Sequence, residues 1–243
     1  MKDNFSSQSK LYAKFRPHYP AALYDHVYSK VKSFQTAWDC GTGNGQVASV
    51  LSDKFDQVIA SDISKNQLAQ AQQKSNIEYI VSPAEHTSIE GSSVDLITVA
   101  QALHWFDVPA FIKETQRVAS KDAVLAYWGY GLLSISAEVD PIIKEFHDDA
   151  MNGYWDPERY ILTNEYKAID LDLADLELKY FKHEVKWSLA DLEGYLNTWS
   201  SVRKYIERNN TNLVNDIIDK LRDKWQGGTI TFPLFVYTGT IKN

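Results

Sequence analysis

The chain has 243 residues, 44% of them hydrophobic and 23% charged, enough apolar material to bury the core of one α/β domain spanning residues 1–243. A net charge of −7, with no run of Lys and Arg, argues against a protein that grips nucleic-acid phosphates non-specifically, because such binding needs clustered Lys and Arg. The single cysteine, Cys40, excludes an intrachain disulfide and a Cys-based zinc cluster, so no metal is expected, and no apolar run approaches the ~18 residues of a membrane span.

The polar N-terminus lacks the apolar core of a signal peptide, so a cytoplasmic protein with no membrane or nucleic-acid partner is expected, monomeric or homodimeric. Residues 1–20 read as an arm whose Pro17 and Pro20 push the preceding residues toward extended backbone, with Tyr12, Phe15, Arg16 and Tyr19 along it. Leu23, Val27 and Val31 recur at helical spacing after Pro20 and predict a helix.

Ala37 and Trp38 then read as the end of a buried strand, followed by Asp39 and glycines at alternate positions, Gly41, Gly43 and Gly45. Val47, Ala48, Val50 and Leu51 form the apolar face of a helix that begins at once. A strand, a glycine turn and a helix N-terminus let backbone press against a ligand where no Cβ intervenes. The spacing is D-x-G-x-G-x-G, not the G-x-G-x-x-G of dinucleotide binding, which would need a glycine at Gln46. Asp39 stands where an ammonium group could be held with nearby backbone carbonyls. Cys40 reads as a small structural side chain.

Residues 57–62 predict a second strand ending at Asp62, about 20 residues beyond the first glycine, where a βαβ unit presents a carboxylate to ribose hydroxyls. Ser64 is a candidate cap, 66–75 a polar helix, and 77–81 a third strand. Val94 to Ala100 is apolar enough for a central parallel strand, and Gln101 to Phe106 leaves its C-terminal end, the edge where open α/β sheets bind ligands. A helix over 111–118 follows, with Lys113, Glu114 and Arg117 read as a solvated face, and then a fifth strand over 123–128.

The βα rhythm changes after Gly131. Residues 132–170 hold helical fragments rich in aromatics and read as an insertion over the C-terminal edge of the sheet, with a dimerisation element as the alternative. A sixth strand over 176–187, a helix capped by Ser188 and running through Tyr205, a helix over 212–225 and a last strand over 230–241 complete the chain.

The residues around Gly41 resemble motif I of the class I S-adenosylmethionine (SAM) methyltransferases. Gln101 to Phe106 resembles motif IV, and Tyr-Ala-Lys-Phe-Arg-Pro-His-Tyr-Pro (12–20) resembles the N-terminal cap of the trans-aconitate methyltransferase-like subgroup. The resemblance implies a doubly wound, mostly parallel, seven-stranded Rossmann-like sheet with an antiparallel last strand and a helical cap. It implies SAM as cofactor, held by Tyr12, Arg16, Asp39, Gly41, Thr42, Gly43, Asp62, Ile63, Ala84, Glu85, Gln101 and Trp105, with Arg16 facing its carboxylate. Pro83 stands where the family often has an acid, which removes one adenine contact.

The expected reaction is methyl transfer to a small-molecule acceptor, a carboxylate among the candidates because it needs no base. His104 is the one candidate base of the motif IV loop, with a hydrogen-bonded pocket wall as the alternative role. Tyr19, Trp128, Tyr130, Trp155, Trp199 and Arg203 are the candidate acceptor-side residues, the last two sharing a helix face at i, i+4. Rival readings are an NAD(P)-linked oxidoreductase and a non-catalytic SAM-binding scaffold.

Overall fold

A computed structural model describes residues 15–242, so the Tyr12 assignment lies outside the described residues. The strands form one sheet in the order β3-β2-β1-β4-β5-β7-β6. β1 (Thr36–Cys40), β2 (Gln57–Asp62), β3 (Ile77–Val81), β4 (Val94–Ala100) and β5 (Ala119–Tyr130) pair in parallel. β7 (Gly227–Ile241) runs antiparallel to both β5 and β6 (Leu173–Ser188), which is the expected mixed ending.

The helices are α1 (Ala21–Tyr28), α2 (Gln46–Leu51), α3 (Lys65–Leu68), α4 (Val108–Val118), α5 (Asp140–Glu145), α6 (Arg159–Thr163), α7 (Leu189–Asn197), α8 (Ser200–Asn209) and α9 (Leu213–Arg222). A tight 3-10 turn covers Leu103–Trp105, and a π-turn covers Phe146–Ala150.

Strand alternation divides the apolar residues between two cores, one on each face of the sheet. Ala37 joins α1, α2, α7 and α9 on one face, whereas Trp38 and Cys40 join Phe111 of α4 and Leu162 of α6 on the other. Burying a side chain such as Trp38 or Phe111, both fully covered, contributes about 1.5–3 kcal/mol. Cys40 is a buried free thiol with its pKa pushed up by burial, a packing residue as expected. At the N-terminal end of the sheet, the Asp95 carboxylate accepts hydrogen bonds from Ser33, Ser120 and the backbone N–H groups of Gln35 and Thr36. That staple leaves the opposite, C-terminal edge for ligands.

Three expectations are corrected. The helix over 66–75 ends at Leu68, because the segment has almost no apolar face and its Gln72 carbonyl turns to the Tyr79 hydroxyl. The helix over 188–205 begins with the capping box of Ser188 and Asp191 but breaks at Thr198 and Trp199. There the Thr198 carbonyl accepts from Arg16 Nη2, and Trp199 is extended (φ −69°, ψ 132°) so that its indole stacks on Phe146. Glu114, placed by sequence on a solvated face, is buried and accepts from Thr87 and Arg117.

Candidate active site

Parallel pairing fixes which loops meet. Cys40 is level with Ser61, Asp62 with Val81 and Ala100 with Trp128, so the glycine turn, Asp62, the 82–86 loop, Gln101 and Tyr130 all leave one edge.

The glycine turn is held from below by Asp39. Its carboxylate is buried beneath the turn and accepts from Thr42 Oγ1 (2.5 Å), Thr98 Oγ1 (2.8 Å) and the Ala48 N–H (3.1 Å). Burial pushes its pKa up to about 6, against the opposing pull of those hydrogen bonds. Asp39 thus ties turn, β4 and α2 together, and any pull it exerts on an ammonium group acts through that framework.

Gly41 and Gly43 both have positive φ (69° and 58°), but their surroundings differ. A Cβ on Gly41 would stand 2.7 Å from Ala102 Cβ, whereas one on Gly43 would meet nothing within 4 Å. The open side of Gly43 is therefore the cradle a cofactor would fill. Asp62, half-buried at the end of β2, accepts from the N–H groups of Gly43 and Ser64 (2.8 Å each). A carboxylate offers about four lone-pair sites, so ribose hydroxyls could still be received. Ile63 is half-buried beside it. Ala84 is buried, and Glu85 accepts from the Asp107 N–H, lashing the 82–86 loop to the start of α4.

On the far side of the turn, Arg16, Gln101, His104, Trp105, Arg159 and Ser200 line a small cleft of about 30 Å³. Arg16 donates to the Tyr130 hydroxyl (2.5 Å) as well as to Thr198, and lies over the Tyr195 ring. Gln101 occupies the left-handed region (φ 57°), a conformation disfavoured for residues other than glycine and concentrated at functional sites. His104 is buried with Nδ1 3.0 Å from the Tyr166 hydroxyl, and burial, with the Arg159 charge nearby, lowers its pKa to about 3. The imidazole is neutral throughout the physiological range.

The acceptor-side candidates separate. Tyr130 meets Arg16, and Tyr19 packs edge-on against Trp128. Trp128 and Trp199 are core residues, the latter among Phe146, His147, Trp155 and Tyr195. Arg203 reaches toward Glu207 along α8 (3.6 Å) and does not line the cleft. Trp155 supports Arg159, whose guanidinium carbon lies 4.3 Å from its ring centroid. Arg159 itself was missed from sequence; Trp155 and Pro157 precede α6 outside the helix, so no helical spacing marked it.

Residues 38–127 match the model of a methyltransferase domain family. A Dictyostelium discoideum protein that bears a provisional methyltransferase name is 34% identical over 223 residues, covering 90% of this chain and 85% of its own. The chain belongs to the methyltransferase family. A solved structure from Anaeromyxobacter dehalogenans, provisionally titled a type II methyltransferase, superposes with a TM-score of 0.86 at 33% identity, over 93% of this chain and 98% of that one. A Saccharomyces cerevisiae protein, provisionally named an S-adenosylmethionine-dependent methyltransferase, is 26% identical over 79% of this chain and 65% of its own. The open face of Gly43 beside Asp62 fits SAM, the cofactor expected from the sequence. These matches leave the oxidoreductase reading without support.

Proposed function

We propose that this methyltransferase transfers the SAM methyl group to a small-molecule carboxylate, and that residues 132–170 cover the acceptor side of a single catalytic domain. The observation that carries the acceptor class is the neutral, buried His104. Burial lowers its basicity, and the Arg16 and Arg159 guanidiniums line the same cleft, a setting that favours an acceptor arriving as an anion over one that must lose a proton there. The carboxylates are the biological oxygen nucleophiles that do so.

Bound SAM supplies a methyl carbon activated by a sulfonium leaving group. The acceptor oxygen would take that methyl group while the sulfur keeps the bonding electron pair, giving a methyl ester and S-adenosylhomocysteine. The chain's part is alignment and exclusion of water. Asp39 fixes the glycine turn, Asp62 is the ribose acceptor, and Arg16, between Tyr130 and Thr198, keeps the cleft positive. The resemblance of residues 12–20 to the trans-aconitate methyltransferase-like cap supports the same acceptor class.

The test is a screen with methyl-labelled SAM against small carboxylic acids, amines and phenols. Base-labile methyl esters formed from acids are the expected product. Transfer to amines or phenols, with acids inert, overturns the carboxylate assignment.

A further inference from the structure

We infer that Arg159 anchors a second anionic group of the acceptor, an oxyanion distinct from the carboxylate that receives the methyl. The inference rests on the small-molecule acceptor reading above and adds to it a specific recognition site.

Arg159 opens α6 within the 132–170 cover and points its charge into the cleft shared with Gln101 and His104. Its guanidinium makes no hydrogen bond and no ion pair among the described residues, and its Nε is buried without a partner. What fixes it is the Trp155 face, and the Trp155 indole is itself tied down by donating to the His147 carbonyl (3.0 Å). Among the described residues, no carboxylate forms an ion pair with it. Asp156, the buried carboxylate three residues before it, pairs with Lys204 at 2.6 Å. The other guanidinium of the cleft, Arg16, has the same sign and opposes it, while burial also works against the Arg159 charge.

A guanidinium held rigid, half-buried and unneutralised beside a second guanidinium is a costly arrangement unless an anion completes it. The Gln101 amide adds to this. Its oxygen is buried on the same cleft without a partner among the described residues, and turning the amide over presents a donor at that place. The cleft's 30 Å³ matches about two waters, or the head of one carboxylate or phosphoryl group. The forked donors of arginine suit either oxyanion. The reacting carboxylate is not the group held there, since a guanidinium on its oxygens would withdraw the electron pair that attacks the methyl carbon. The acceptor therefore carries at least two anionic groups.

Calorimetric titration of the protein saturated with S-adenosylhomocysteine tests this without turnover. Succinate, butyrate and 3-phosphonopropionate are the probes, with wild type, Arg159→Gln and Arg159→Lys. Wild type is expected to bind the dianions at least about 10-fold more tightly than butyrate, and Arg159→Gln to lose about 10- to 100-fold on the dianions alone. Arg159→Lys is expected to recover part of the loss, with affinity for S-adenosylhomocysteine unchanged in all three. Preference for 3-phosphonopropionate over succinate identifies the anchored group as phosphoryl. Equal dianion binding by wild type and Arg159→Gln overturns the anchor, even where acids are methylated. Arg159-dependent binding of the dianions, with amines or phenols as the methylated acceptors, retains the anchor and removes the carboxylate acceptor. Should Arg159→Gln lose S-adenosylhomocysteine binding, the Arg159→Lys protein decides: unchanged dianion affinity there also overturns the anchor.

Discussion

The two halves of the sheet's C-terminal edge are built on opposite terms. On the cofactor side, Asp39 and Asp62 have their oxygens engaged by the protein's own hydroxyls and N–H groups, and the turn they hold is ready before any ligand arrives. On the acceptor side, Arg159 Nε and Gln101 Oε1 are buried without partners among the described residues, and Gln101 is held in a strained backbone conformation. A satisfied network serves a constant ligand and contributes to folding. An unsatisfied one stores recognition capacity that only the right acceptor completes.

The most damaging way to break that contrast is to remove the keystone of the satisfied half. Asp39→Ala leaves Thr42, Thr98 and the Ala48 N–H without their shared acceptor in the interior. The expected cost is about 3 kcal/mol or more of folding stability, read from chemical denaturation. Asp39→Asn keeps the volume and one acceptor oxygen and is expected to cost about half as much. An Asp39→Ala protein as stable as wild type would show that the turn is held by something other than this carboxylate.

Gly43→Val separates ligand binding from folding on the same turn. The side chain enters open space, so its folding cost is limited to placing a branched residue at φ 58°, about 1–3 kcal/mol. It fills the face where the cofactor would lie, and SAM and S-adenosylhomocysteine affinities are expected to fall at least about 100-fold in calorimetry. Retained affinity would move the cofactor off this face.

How much of this was legible in the sequence follows the same division. The glycine turn, Asp39, Asp62 and the parallel strands are local signals, since each depends on residues a few positions apart or on strand periodicity. The expected strands all formed within a few residues of their predicted bounds. The acceptor half depends on long-range placement. Arg159 meets Gln101 and Arg16 only because α6 folds back over the sheet edge, and no spacing within 132–170 encodes that. The break at Thr198 is equally non-local, because its carbonyl is claimed by Arg16 from 182 positions away. Glu114 looked solvated for a similar reason, its buried partner Thr87 lying in a loop with no periodic signal.

A smaller effect links the two halves through charge. Burial raises the Asp39 pKa to about 6, and a bound cation favours its ionised form. Binding of SAM, which carries a sulfonium, therefore releases protons below pH 6. Its affinity is expected to fall by up to about 10-fold between pH 7 and pH 5, and that of the uncharged thioether S-adenosylhomocysteine by less. In Asp39→Asn the difference between the two ligands should vanish. Parallel pH dependence of both ligands in wild type would remove Asp39 from the linkage.

The least disruptive change tests whether His104 works as a neutral wall of the acceptor half. The Tyr166 hydroxyl lies against Nδ1; donating there, it leaves the imidazole proton on Nε2. Tyr166→Phe keeps the buried ring but frees the tautomer. The expected result is a stability change within about 1.5 kcal/mol, unchanged S-adenosylhomocysteine affinity and a kcat lower by a few-fold, on the order of one hydrogen bond. The pH profile is the sharper reading. With its pKa near 3, His104 adds no ionisation between pH 5 and 8 in wild type, and the same flatness should persist in Tyr166→Phe. A bell with a limb near pH 6.5 that disappears in a His104→Gln protein would make this histidine a working base, and the acceptor would then be a group that has a proton to lose.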